Sequence, residues 1–113
     1  MDKKYAAQEA ITHSMMGSLG LKLIEEKEGF IRASMPVNDN TSQPFGVLCG
    51  GASLAFAEII AGYGSYLCCP EGFIPVGSSV SGNHVSSVRK APDVLVYAEA
   101  TALHLGRTTH LWN

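Results

Sequence analysis

Glu58 is the residue of this 113-residue sequence whose setting most demands a chemical reason: it is the only charged side chain between Asp39 and Glu71, in the middle of a long apolar run. An unpaired carboxylate among apolar neighbours costs several kcal/mol. Two placements relieve that cost. Glu58 either occupies the one wet stripe of a helix, or it lines a cleft where apolar neighbours raise its pKa and ready it as base or nucleophile. Gly50 and Gly51 stand just upstream. Side-chain-free residues at a helix N-terminus leave backbone N–H groups open to a ligand oxygen, with the positive end of the helix dipole behind them. That suits a developing oxyanion, although the same pair also serves a plain turn.

Other chemistries find less support. The histidines, His13, His84, His104 and His110, lack the i, i+4 pairing of a helical metal site, and no HExxH occurs, so no metal is expected. There is no GxSxG elbow, no GxxxxGK[ST] and no strand-flanked GxGxxG. Cys49, Cys68 and Cys69 are odd in number and show no CxxC spacing, which signals neither a disulfide framework nor a zinc site. Arg89, Lys90 and Arg107 are the cations placed to meet an anionic ligand, or simply to be solvated at turns.

The elements that must position these residues follow from periodicity. Tyr5 to Met16 reads as one short amphipathic helix stopped by Gly17 and Gly20. The runs 21–28 and 30–37 alternate like strands and turn at Gly29. A polar loop, 38–46, leads to a helix from Ala52 to about Leu67, apolar on nearly every side and therefore expected to be buried. Three strand-like runs follow, 74–88, 94–105 and 107 to the end, with turns at Lys90–Asp93 and Leu105–Gly106. Strands in series rather than βαβ alternation predict an α+β fold with an antiparallel sheet wrapped on one helix. The last run stops as a strand begins, so we expect the sheet to lack one or more C-terminal strands and to expose an edge there.

Composition bounds the function classes. Leu, Ile, Val and Phe make up about a quarter of the chain, which excludes a disordered polymer. One domain spanning 1–113 is expected from the length. The formal net charge of −2, without any basic block longer than two residues, gives no footing for nucleic acid. No signal-peptide core and no run near ~20 apolar residues occurs, so no membrane partner is expected, and free cysteines fit a cytoplasmic setting.

The stretch Gln43-Pro44-Phe45-Gly46-Val47-Leu48-Cys49-Gly50-Gly51-Ala52-Ser53, followed by Ala57-Glu58, resembles the hotdog-fold acyl-CoA thioesterases of the phenylacetate-pathway and 4-hydroxybenzoyl-CoA type. It is most similar to the 1,4-dihydroxy-2-naphthoyl-CoA group, whose pattern is QPFG, two apolar residues, HGGAS, then a helix with a glutamate. Asn83-His84-Val85 and Leu103-His104-Leu105-Gly106 resemble two further motifs of that family. The resemblance implies a hotdog fold and hydrolysis of an aromatic acyl-CoA, with 1,4-dihydroxy-2-naphthoyl-CoA of menaquinone synthesis as the candidate substrate. Coenzyme A is then part of the substrate and no separate cofactor is needed. It also implies homodimers or homotetramers with sites between subunits. Catalysis would fall to Glu58, Gln43, Gly51 and Cys49, with Gly50, Phe45, Gly62, His84, Arg89 and Arg107 on the substrate. Cys49 stands at the family's His in HGG, and Gly62 stands where close relatives carry serine one turn after the glutamate. A non-catalytic acyl-CoA-binding hotdog domain is the alternative, and a hydratase or dehydratase a third reading. Phe45, Phe56 and Tyr63 are either core or an aromatic wall for the acyl group.

Overall fold

The computed structural model describes residues 3–113. In chain order the elements are α1 (Lys3–Thr12), α2 (Met15–Ser18), β1 (Lys22–Lys27), β2 (Phe30–Pro36), α3 (Gly50–Cys68), β3 (Leu95–Leu105) and β4 (His110–Trp112). The four strands form one antiparallel sheet in the order β1-β2-β3-β4, and α3 packs on it through β2 and β3. The α+β expectation therefore holds.

β2 and β3 are the interior strands, each paired on both sides, and β2 carries most of the sheet's buried apolar residues. Ile31, Ala33 and Met35 alternate along one face, as period-two geometry requires, and all three are fully buried. The β1–β2 hairpin turns at Gly29, whose φ of +77° is left-handed backbone that favours glycine. From above, Phe56, Ile60 and Tyr63 of α3 close the core at i, i+4, i+7 spacing. α3 approaches the sheet most closely at Gly64, where an added methyl would stand 3.0 Å from Cγ1 of Ile31 and collide with the Trp112 ring. Polar ties fix the two ends of this packing. The Tyr63 hydroxyl donates to Oε2 of Glu26 on β1 at 3.1 Å. Burial, and secondarily the Glu26 charge, push its pKa well above the ordinary phenol value. On β4, Nε1 of Trp112 donates to the Ser65 hydroxyl at 2.8 Å, and that hydroxyl also pairs with Nδ1 of His110 at 2.8 Å.

Three expectations need correction. The first helix is two: α1 ends at Thr12, the Ser14 hydroxyl bonds back to the Ile11 carbonyl, and α2 begins at Met15. Gly17 is therefore no stop signal. It lies inside α2, where a Cβ would strike the carbonyls of Ile11 and Thr12. Second, the apolar helix is not buried on all sides. The sheet covers one face, whereas Gly51, Ala57 and Glu58 are exposed and most other residues half-buried. Third, the run 74–88 forms no strand. Its composition is strand-like, yet a ladder needs a hydrogen-bonding neighbour. Among the described residues the sheet ends at β4, and the segment is tied only at its end, where the Leu48 N–H donates to the Val88 carbonyl at 2.8 Å. Ile74, Val76 and Val85 consequently stand more than three-quarters exposed.

Candidate functional site

The loop before α3 folds back on itself and leads into the helix N-terminus as a hydrogen-bonded unit. The Gln43 N–H donates to the Val47 carbonyl at 2.9 Å, and the Cys49 N–H to the Thr41 carbonyl at 2.9 Å. Gln43 is half-buried there, its side-chain oxygen accepting from the Phe45 N–H, and Gly46 makes the turn at φ +85°. Phe45 itself is 84% exposed. Phe56 and Tyr63 belong to the core, so Phe45 alone of the three aromatics is free to meet a ligand.

Cys49 is the N-cap residue, but its thiol makes no capping bond. Its sulfur lies 3.7 Å from where a Cβ on Gly51 would be. The carbonyl of Cys49 accepts from Ala52 and Ser53. Those are the third and fourth residues of the helix, and no bond among the described residues uses the N–H groups of Gly50 or Gly51. They are the orphan donors that any helix start provides. His84 sits over them: a methyl on Gly50 would lie 2.8 Å from Nε2 of its imidazole. Glycine at position 50 thus gives the ring its place.

His84 reaches the helix because the segment 74–88 runs antiparallel along it. Gly77 lies against Glu58, Gly82 against Leu54, and His84 against Gly50. Gly50, Leu54, Glu58 and Gly62 recur every four residues and so share one stripe of α3. The segment touches the first three. At Gly62 it has moved off, and a Cβ there meets nothing within 4 Å. A serine at 62 would fit without displacing anything. Glu58 is exposed and has no hydrogen-bond partner among the described residues, so the apolar setting expected from the sequence is not supplied within one chain. Eight residues at 1.5 Å each separate it from Gly50 by about 12 Å along the axis. The helix-end donors and the carboxylate of the same chain do not meet on one carbonyl carbon.

The cations divide. Arg89 bridges to Val47 beside the loop that precedes α3. Lys90 is engaged by Asp39 at 2.8 Å, which holds the Asp39 carboxyl below the usual carboxylate range. Arg107 follows β3, whereas Arg89 precedes it. The eleven residues of that strand set its two ends some ~30 Å apart, with Arg89 before one end and Arg107 after the other. A surface cleft of about 510 Å³ between Val37–Asn40 and Lys90–Pro92 contains Lys90 but none of the other expected site residues. The residue that sequence reading missed is Gly77. Its only signal was a glycine inside a strand-like run, which marks close backbone approach.

Residues 45–113 match the Thioesterase superfamily. The chain is 36% identical over 99 residues to the 1,4-dihydroxy-2-naphthoyl-CoA hydrolase of Escherichia coli, covering 88% of this chain and 71% of that one. The crystal structure of a thioesterase from Haemophilus influenzae superposes with a TM-score of 0.85 at 37% identity, over 99% of this chain and 76% of that one. A Staphylococcus aureus thioesterase superposes at TM-score 0.80 and 33% identity, over 87% of this chain and 79% of that one. Its solved variants include one with a glutamine and one with a glutamate replaced by alanine, fifteen positions apart in its own sequence.

Proposed function

The chain belongs to the thioesterase superfamily and is a thioester hydrolase of the hotdog fold, and from that premise we propose that it hydrolyses an aromatic acyl-CoA with Glu58 as the reacting carboxylate. The observation that carries this reading is the stripe of α3. It presents two unused N–H donors and an imidazole at one end and a free carboxylate two turns along. Gln43 and Glu58 are separated by the same fifteen positions as the two residues replaced in the S. aureus thioesterase. The donors of Gly50 and Gly51 receive the thioester oxygen as charge develops on it. Glu58 either takes a proton from the attacking water or attacks the carbonyl carbon itself. In the first route the protonated Glu58 returns its proton to the departing sulfur as the C–S bond breaks; in the second the C–S bond breaks as a glutamyl–acyl anhydride forms, and water then cleaves the anhydride, protonating the coenzyme A thiolate and freeing the acid. No cofactor is required, since coenzyme A enters with the substrate.

The distance between the helix start and Glu58 supports a homodimer or homotetramer in which one subunit's donors face the partner's Glu58. A cytoplasmic setting accords with three free cysteines. Among the described residues no helix is long and apolar enough to cross a membrane. The acyl group follows the named E. coli relative, with 1,4-dihydroxy-2-naphthoyl-CoA as the first candidate. Thiol release from naphthoyl-, benzoyl- and straight-chain CoA thioesters, measured side by side, tests the reading. Preference for the aromatic esters is expected. Binding without release would make this a non-catalytic acyl-CoA domain, and hydration of an enoyl-CoA would make it a hydratase.

Cys49 allows a sharper check. With the carbonyl held by backbone N–H groups and its thiol making no capping bond, Cys49→Ala is expected to change kcat by less than about threefold. Cys49→His is expected to raise it, because imidazole is a much stronger donor than a thiol. A loss in Cys49→Ala on the ~10²-fold scale of a removed oxyanion donor, with the fold intact by circular dichroism, would show that the thiol itself is required.

A further inference from the structure

We infer that Gly77 is the positioning residue for the Glu58 carboxylate, its bare backbone forming the wall that sets where the carboxylate stands. A Cβ on residue 77 would fall on Oε2 of Glu58, 2.9 Å from its Cδ and 3.3 Å from its Cγ. The conformation of Gly77 does not explain the glycine. The left-handed glycines are Gly20, Gly29, Gly46 and Gly72, and the backbone at 77 is one that any residue adopts. Glycine is present for room alone. Five residues later Gly82 makes the milder approach, a methyl there standing 3.2 Å from Cδ2 of Leu54, the end of a flexible side chain that yields. At 77 the neighbour is likewise the end of a flexible side chain, but it is the carboxylate that the proposed reaction uses and the approach is closer, so an added side chain displaces it.

Displacing a reacting group by about 1 Å costs on the order of 10²-fold in rate. Gly77→Ala is therefore expected to lower kcat by tenfold to a hundredfold, with KM within about twofold of wild type. Gly82→Ala adds the same methyl to the same segment and leaves both unchanged. Glu58→Asp retracts the carboxylate by one methylene, so combining it with Gly77→Ala should cost less than the product of the two single losses. This inference rests on Glu58 being the reacting group, and a readout without substrate separates the two. The ¹³C carboxyl resonance of Glu58, assigned through Glu58→Gln, should shift in Gly77→Ala and stay in place in Gly82→Ala. An unmoved resonance, equal effects at 77 and 82, or strictly multiplicative losses in the double variant overturn the role of Gly77, even where the wild-type chain hydrolyses thioesters. A shifted resonance in a chain that releases no thiol would retain the role and remove the hydrolase assignment. If Gly77→Ala fails to fold, Gly77→Ala with Glu58→Ala is expected to fold, because the collision is gone. Failure of that variant as well would mean the glycine serves something other than the carboxylate.

Discussion

Glu58→Gln is expected to lower kcat for thioester hydrolysis by roughly 10²- to 10⁴-fold, the range over which a positioned general base contributes, while leaving the melting temperature nearly unchanged. The two expectations come from the same geometry. Glu58 is exposed and bonded to nothing among the described residues, so its charge holds no part of the fold together. Glutamine keeps the shape and removes both the proton acceptor and the nucleophile. Steady-state kinetics with the best aromatic acyl-CoA, alongside a thermal melt, measures both quantities. An unchanged kcat would return Glu58 to the wet stripe of an ordinary helix, and another group would have to activate the water. A large fall in melting temperature would instead show that the carboxylate is bound into the assembly.

Gln43→Ala and Glu58→Gln, each inactive alone, are expected to recover about a quarter of wild-type activity when unfolded together and refolded. The reason is distance. The helix-end donors lie about 12 Å along the axis from the carboxylate of the same chain, too far for both to serve one carbonyl within ~3 Å. Two α3 helices running antiparallel in a symmetric dimer bring the donors of one subunit to the partner's Glu58, and twofold symmetry gives two such sites. Gln43 goes with the donors, because the loop that holds it leads directly into the helix. Random reassociation makes half the dimers mixed, and a mixed dimer holds one intact site of two, hence about a quarter of full activity. Recovery no better than the mean of the two variants, with subunit exchange confirmed by mass, would place the whole site within one chain.

The alternation of Ile31, Ala33 and Met35 made β2 legible in the sequence, because period-two patterning is a local consequence of one buried face. Glycine at 29 marked its hairpin for the same local reason. Glu58 stood out because a charge in an apolar run is visible without knowing what surrounds it, and the unused donors of Gly50 and Gly51 follow from the start of any helix. The tertiary structure alone decided the rest. Residues 74–88 have the composition of a strand, but a strand exists only against a pairing strand, and among the described residues the sheet pairs none with them. Burial of α3 likewise depended on how much of its circumference the sheet could cover, and the sheet left Glu58 in the open. His84 over Gly50 and Gly77 against Glu58 join positions 34 and 19 residues apart in sequence. Contacts at that separation have no period and no local propensity to announce them. They arise from the path of one segment across a helix, which is a property of the packed chain.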